Sequence, residues 1–93
     1  MALRFLWDPR KAVSNERKHG VGFPEATTVF DDPLSVTIAD PDHSLEEQRF
    51  LLLGQSNRRR VLVVAHLERG ESIRIISVRR VNRRERQIYE EDR

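Results

Sequence analysis

Residues 72–90 read SIRIISVRRVNRRERQIYE, and they join a strand pattern to a helix start. The β-branched run that begins at Ile73 is typical of a strand. Strict alternation along this strand places Arg79 on the same face as Ile73, and Arg74 and Arg80 on the opposite face. Arginines therefore leave both faces of an otherwise apolar strand. This pattern suits a polyanionic ligand, and it equally suits a solvated, salt-bridged edge.

The second half of the stretch predicts a short helix over residues 83–91. Asn82 is followed three residues later by Glu85, which is the spacing of a capping box. The helix carries Ile88 and Tyr89. Tyr89 has two interpretations, as a packing anchor for this helix or as a proton donor.

Three further strands are predicted upstream, over residues 36–39, 48–53 and 61–67. Asp, Pro, Gly and Asn residues between them provide turn chemistry. Connections this short predict an antiparallel meander. An additional short strand is expected over residues 4–7.

Two helices are predicted near the N-terminus. The first begins at Asp8, followed by proline at the first helical position, and ends at Gly20. The second covers residues 24–30. Its buried face at helical spacing consists of Phe23, Ala26, Val29 and Phe30. The order of elements predicts one α+β domain over residues 1–93. In it, two N-terminal helices pack on an antiparallel sheet and a short helix follows at the C-terminus.

Charge is distributed unevenly along the 93 residues. Residues 1–53 contain six Lys or Arg and nine Asp or Glu, whereas residues 54–93 contain 11 Arg and six Asp or Glu. The C-terminal part therefore has a balance of +5, all of it from arginine, which favours a nucleic acid or an acidic protein as partner. The chain has no cysteine, no membrane-length apolar run and no signal-peptide pattern, so we expect a cytoplasmic protein without membrane contact.

The sequence lacks the motifs of several enzyme classes. No metal-ligand spacing, phosphate-binding glycine loop or nucleophile elbow occurs, so we expect neither metal nor cofactor. Among candidate reactions, metal-free cleavage of RNA remains, because the 2′-hydroxyl of RNA is its own nucleophile. The protein must then orient that group, move two protons and neutralise the phosphorane. The arginines, together with His, Glu, Tyr and Lys side chains, supply all these functions.

Each histidine also has a structural interpretation. His43 lies within turn chemistry, and His19 ends a helix, where the dipole favours a protonated ring. His66 lies in the middle of an apolar strand, so we expect a partly buried residue with a hydrogen-bond partner.

Several ordered motifs resemble the BrnT family, the RelE-like ribonuclease toxins of type II toxin–antitoxin systems. They are FLWDPRKAVSNERKHGV, FPEATTVFDDP, DPDHSLEEQR, LGQS, RIISVRR and ERQIYE, and they cover nearly the whole chain. The chain departs from the family pattern at four positions. Gly22 and Pro24 stand where a polar cap and an acidic residue are usual, Arg59 where a loop glycine is common, and Val78 where alanine is usual.

The resemblance implies an endoribonuclease that cleaves RNA without a metal and leaves a 2′,3′-cyclic phosphate. It also implies neutralisation by a BrnA-type antitoxin with a ribbon-helix-helix domain. The two proteins would form a heterotetramer that contacts operator DNA only through the antitoxin. By position, the residues on family motifs are Lys18, His19, His43, Arg49, Arg74, Arg79, Glu85 and Tyr89.

We assign roles to these residues and to Arg80. Arg79 and Arg74 bind and stabilise the phosphate, and Glu85, Tyr89 and His43 are candidates for proton transfer. The residues predicted to contact RNA are Lys18, His19, Arg49 and Arg80, and Lys18 and His19 are alternatively a second proton donor.

Two other functions explain the arginines equally well. One is a non-catalytic module that binds RNA or DNA, although the chain has no aromatic RNA-binding strand and no recognition helix with a dimer seam. The other is a protein-interaction subunit whose basic face holds an acidic partner. Cleavage of RNA by the purified protein in EDTA separates the enzyme from both.

Overall fold

The computed structural model describes residues 3–40 and 49–91. The elements follow the predicted order. They are β1 (Arg4–Leu6), α1 (Pro9–His19), α2 (Phe23–Thr28), a 3₁₀ turn (Val29–Asp31), β2 (Val36–Ala39), β3 (Arg49–Gln55), β4 (Val61–Arg69), β5 (Ser72–Arg80) and α3 (Arg83–Glu91). The α+β class is confirmed, and most predicted bounds are correct to within two residues.

The five strands form one sheet in the order β1-β5-β4-β3-β2. Strands β2 to β5 are the predicted antiparallel meander, whereas β1 pairs in parallel with β5. The sheet is therefore mixed. Short connections fix the direction of neighbouring strands in sequence, but β1 and β5 are separated by most of the chain, so no short connection sets their relative direction.

Local sequence signals position the helices as predicted. The Asp8 side chain accepts a hydrogen bond from the Arg10 amide at 2.9 Å, and Gly20 closes α1 in the left-handed region at φ 70°. The capping box of α3 is confirmed in both directions, because the Asn82 and Glu85 amides each donate to the other residue's side chain at 2.8 Å. The predicted second helix is α2 continued by the 3₁₀ turn.

The sheet has an apolar cluster on each face. The first cluster packs α2 and the start of the chain against the sheet, and its buried members include Phe23, Ala26 and Val29 as predicted. Phe30 is only partly buried and packs edge-on against Phe5. The second cluster packs α3 on the other face, and it consists mainly of Leu53, Val63 and Tyr89 with Leu51 and Ile88 around them.

A β-bulge in β5 changes which residues share a face. His66 pairs with Ile75 and Ala65 pairs with Ser77, so Ile76 has no partner on β4. One extra residue shifts the alternation of everything that follows it. The predicted alternation of residues 72–80 is therefore wrong beyond the bulge, and the faces of the arginines must be read from strand pairing instead.

His66 has hydrogen-bond partners as expected, but it is fully buried and not partly buried. Its Nε2 lies 3.0 Å from the Glu68 carboxylate, and its ring lies edge-on to Phe30 at a centroid distance of 5.0 Å. These contacts account for a histidine in an otherwise apolar strand.

The buried carboxylate of Glu25 in α2 accepts hydrogen bonds from the β3–β4 hairpin. Glu25 Oε2 accepts hydrogen bonds from Ser56 Oγ at 2.7 Å and from Arg60 Nε at 2.9 Å, and Glu25 Oε1 accepts from Arg60 Nη2. Arg59, at the position where a loop glycine is common, adopts φ 61° in the same hairpin. A non-glycine residue in this region costs about 1–2 kcal/mol, so the Glu25 contacts hold a turn that is strained by its sequence.

The Glu25 carboxylate should make folding stability depend on acidity. Its hydrogen bonds with Arg60, then with Ser56, keep its pKa below the ordinary value of 4.5 despite burial. A lowered folded-state pKa stabilises the protein above the unfolded-state pKa and ceases to do so as pH falls through the folded value. We expect Glu25→Gln to lower the free energy of unfolding by about 1–3 kcal/mol at pH 7, because a buried donor loses its hydrogen-bond acceptor.

Urea unfolding at pH 7 and below pH 4.5 measures this effect. The difference between wild type and Glu25→Gln should shrink on acidification, and Glu16→Gln, at an exposed glutamate, is the matched control. A Glu25→Gln penalty that stays constant from pH 7 to pH 3 would show that the carboxylate charge does not stabilise the hairpin.

Candidate functional site

The junction between β5 and α3 holds a two-point ion pair. Arg79 Nη1 donates to Glu85 Oε1 at 2.8 Å, and Arg79 Nη2 donates to Glu85 Oε2 at 2.9 Å. The capping box fixes Glu85, because its Oε1 also accepts from the Asn82 amide. Strand end, cap and ion pair together hold the Arg79 guanidinium in one orientation.

Two N–H groups of Arg79 are available to bind a ligand. A guanidinium has five N–H groups, and two go to Glu85 while a third donates to the Arg80 carbonyl at 3.2 Å. The remaining two have no partner among the described residues. The Arg79 side chain is 40% exposed, whereas that of Glu85 is 13% exposed. The open side of the guanidinium therefore faces solvent, where a phosphate can approach.

The charges of this pair reinforce one another. The hydrogen bond from Arg79 is the main cause that lowers the pKa of Glu85, and the bond to Glu85 raises the pKa of Arg79. A general base works best with a pKa near the working pH. Glu85 is instead a carboxylate held by three hydrogen bonds, which suits positioning of Arg79 better than proton transfer.

Tyr89 lies one helical turn beyond Glu85 and is buried. Its hydroxyl donates to Asp32 Oδ2 at 2.6 Å, and the same oxygen accepts from the Gln55 amide at 2.8 Å. Asp32 Oδ1 accepts from the amide of Leu34. These contacts favour Tyr89 as an anchor of α3. Asp32 was not among the predicted site residues, because its Asp-Pro signal indicates only where a helix ends.

Strand pairing places Arg74 on the same face as Arg79. They pair with Leu67 and Val63, which share a face of the uninterrupted strand β4. The predicted placement on opposite faces is therefore wrong, and the bulge at Ile76 is the reason. The two pairs lie four positions apart on β4, so the Arg74 and Arg79 backbones lie about 13 Å apart along the strand.

Arg49 lies on this face as well. It pairs with Leu67, which in turn pairs with Arg74, so the three residues form a row across the sheet. The two arginine backbones are separated by two strand spacings, about 10 Å.

Arg80 lies on the other face, whereas Lys18 and His19 lie beside the edge of β5. Lys18 and His19 end α1, where with Ile76 and Ser77 they line a cavity of about 210 Å³. Arg80 pairs with Leu62, a member of the cluster under α2. The predicted site residues therefore do not form one surface, and the bulge moves Arg74 to the face opposite Arg80, which spacing in sequence does not reveal.

His43 lies outside the described residues. Within residues 3–40 and 49–91, no three His, Cys, Asp or Glu side chains form a group that could hold a metal ion. The helices in this part of the chain are also too short and polar to cross a membrane.

Comparison with known proteins places the chain in a family. The model of the family described as "Ribonuclease toxin, BrnT, of type II toxin-antitoxin system" matches residues 7–85. The chain belongs to the BrnT family. As a member, it is a ribonuclease toxin, and a type II system pairs such a toxin with an antitoxin.

A solved BrnT structure has the same fold. The crystal structure of the Brucella abortus ribonuclease toxin BrnT is 19% identical in sequence and superposes with a TM-score of 0.67. The match covers 88% of this chain and all of that one. No curated protein sequence matches significantly. The expected BrnT fold is thus confirmed, while the roles of individual residues stay predictions.

Proposed function

We propose that this BrnT-family chain cleaves RNA without a metal ion and that Arg79 binds the phosphate at the cleaved bond. The observation that carries this proposal is the guanidinium held by Glu85 with two donors still directed to solvent. Two N–H groups match two phosphate oxygens, and their hydrogen bonds strengthen as negative charge accumulates in the phosphorane.

The proposed reaction is an internal transfer. The 2′-oxygen loses its proton and bonds to phosphorus, the bond from phosphorus to the 5′-oxygen breaks, and that oxygen takes up a proton. The products are a 2′,3′-cyclic phosphate and a 5′-hydroxyl. Because Glu85 and Tyr89 already have hydrogen-bond partners, His43 is the preferred proton carrier of the predicted set.

We further propose that the antitoxin is a BrnA-type protein. Its acidic segment would lie on the arginine-rich surface, its ribbon-helix-helix domain would bind operator DNA, and two copies of each chain would form a heterotetramer. The arginine excess of residues 54–93 supports an acidic partner. Charges at the rim of such an interface mainly speed association, so affinity should also require apolar anchors.

One experiment tests the enzymatic proposal. Purified protein is incubated with single-stranded RNA in EDTA, and the ends of the fragments are identified by mass spectrometry. We expect cleavage in EDTA, 2′,3′-cyclic phosphate ends, and no cleavage of RNA whose 2′-hydroxyls are methylated. Loss of cleavage in EDTA with recovery on addition of Mg²⁺ would refute the metal-free mechanism.

A non-catalytic function has one observation in its favour. Two of the predicted proton-transfer groups, Glu85 and Tyr89, are engaged in hydrogen bonds that hold the fold together. If the protein binds RNA tightly and leaves it intact both with and without Mg²⁺, the binding module is the correct interpretation.

A further inference from the structure

Strand pairing assembles a second basic surface on the face that carries Arg79, at the far end of the sheet. Two rows of side chains cross it. One row is Arg49, Leu67, Arg74 and Leu6, and the other is Arg69, Ser72 and Arg4. We call these seven residues the arginine–leucine face. The strand positions of this face, all within the described part of the chain, include four arginines and no acidic residue.

The middle of the arginine–leucine face is concave. Five of its residues line a cavity of about 230 Å³, namely Leu6, Leu67, Arg69, Ser72 and Arg74. Sites for drug-sized ligands usually measure roughly 300–1,000 Å³. The cavity is smaller, so it fits one flat group and not a whole nucleotide.

The side chains of this cavity are available for binding. Arg69 and Arg74 are exposed and have no hydrogen bond or ion pair with the described residues. Leu6, on the edge strand β1, is 47% exposed and therefore offers apolar surface to a ligand. An apolar floor with unpaired guanidinium groups around it suits a ligand that is flat, apolar on its faces and polar at its edges.

We propose that this cavity binds one base of single-stranded RNA, with a preference for guanine. The proposal rests on the proposed RNA cleavage and adds a site for recognition of the substrate. Leu6 and Leu67 contact the face of the base, and the Arg69 guanidinium stacks on it. Arg74 donates two hydrogen bonds to O6 and N7 of guanine, an edge that only this base presents.

The position of the cavity favours RNA over an acidic peptide. Arg74 lies about 13 Å from Arg79 along one strand and on one face, so one RNA strand can reach both. The base in the cavity then belongs to a nucleotide near the cleaved bond but not at it. A carboxylate would satisfy the arginines but would leave the leucine floor without a flat partner.

Binding is measured separately from cleavage. The probes are fluorescent 2′-O-methyl hexauridine, which cannot be cleaved through its 2′-oxygen, and six versions in which one uridine is replaced by guanosine. For the wild type we expect guanosine at one position to tighten binding about tenfold, the usual gain from a two-point contact to guanine. Arg74→Ala should remove this gain, whereas Arg10→Ala, at an exposed arginine of α1, should retain it.

The probes whose binding Arg74→Ala weakens distinguish a base contact from a phosphate contact. A base contact relaxes the preference at one position, whereas a phosphate contact weakens every probe equally. Equal weakening of all seven probes by Arg74→Ala, or equal wild-type affinity for all of them, overturns the base site. If Arg74→Ala binds all seven probes as the wild type does but no longer binds the antitoxin, the base site is overturned in favour of a protein partner.

The base site and the proposed cleavage can fail separately. If guanosine preference depends on Arg74 but RNA is not cleaved, the base site stands and the catalytic proposal falls. If RNA is cleaved in EDTA without any base preference in these probes, the catalytic proposal stands and the base site falls.

Discussion

Arg79→Ala should reduce RNA cleavage by about 10²–10³-fold, the usual cost of losing one preorganised donor to a charge that develops in the transition state. Single-turnover cleavage in EDTA measures this loss. Arg79→Lys should recover only part of the rate, because lysine keeps the charge but lacks the planar pair of donors. Arg83→Ala, at an exposed arginine of α3, is the charge-matched control and should cleave as the wild type does.

Loss of the Arg79–Glu85 ion pair also affects the stability of the Arg79→Ala variant. Arg79→Ala leaves the largely buried Glu85 carboxylate without its main partner, which lowers stability as well as activity. The double variant Arg79→Ala/Glu85→Gln removes the unpaired charge and should recover stability but not cleavage. If Arg79→Ala cleaves RNA at the wild-type rate with an unchanged melting temperature, the scissile phosphate binds elsewhere.

Glu85→Gln separates positioning from proton transfer. Glutamine keeps an acceptor for the Asn82 amide and for one N–H of Arg79, so a positioning role predicts a modest loss of rate without a change in its pH dependence. A proton-transfer role predicts the loss of one limb of the pH–rate profile. The lowered pKa of Glu85 leads us to expect the first result.

Features set by neighbours in sequence could be predicted. Asp8 and Gly20 fixed the ends of α1, and the Asn82–Glu85 capping box fixed the start of α3, since each signal acts within one helical turn. Period-two patterning located the strands. The family resemblance supplied the expectation of a BrnT fold, and the solved Brucella abortus structure agrees with it.

Features set by contacts between distant residues could not be predicted. A bulge at Ile76 has no signature in a run of β-branched residues, yet it decides that Arg74 and Arg79 share a face. The contacts of Glu25 with Arg60, and of Tyr89 with Asp32, join residues 35 and 57 positions apart. The candidate site therefore depends on pairings that alternation and spacing cannot show.

Asn15 is the clearest case of such a distant contact. It is the buried residue of α1, a helix that otherwise exposes polar side chains. Its Nδ2 donates to the Val78 carbonyl at 2.8 Å and to the Val21 carbonyl at 3.1 Å, while its Oδ1 accepts from the Val78 amide at 3.1 Å. Strand β1 pairs with β5 only as far as Arg74, and the Asn15 amide takes the place of a strand partner beyond it.

Asn15→Ala should therefore lower the free energy of unfolding by roughly 3 kcal/mol or more. The Val78 amide and carbonyl are both left buried without partners, and each unsatisfied group costs about 1–3 kcal/mol. Alanine's higher helix propensity offsets at most about 0.7 kcal/mol of this. For a domain of this size, a loss of 3 kcal/mol corresponds to a fall of roughly 12–24 °C in melting temperature.

Ser14→Ala is the matched control, because it adds the same alanine to the exposed side of α1 and removes no buried contact. Asn15→Asp should be about as harmful as Asn15→Ala, since a carboxylate can accept from the Val78 amide but faces two carbonyl oxygens without donors. Val78 directly precedes Arg79, so we also expect Asn15→Ala to cleave RNA more slowly at temperatures where it remains folded. A melting temperature within a few degrees of Ser14→Ala, with normal cleavage, would show that α1 does not hold the end of β5 that carries Arg79.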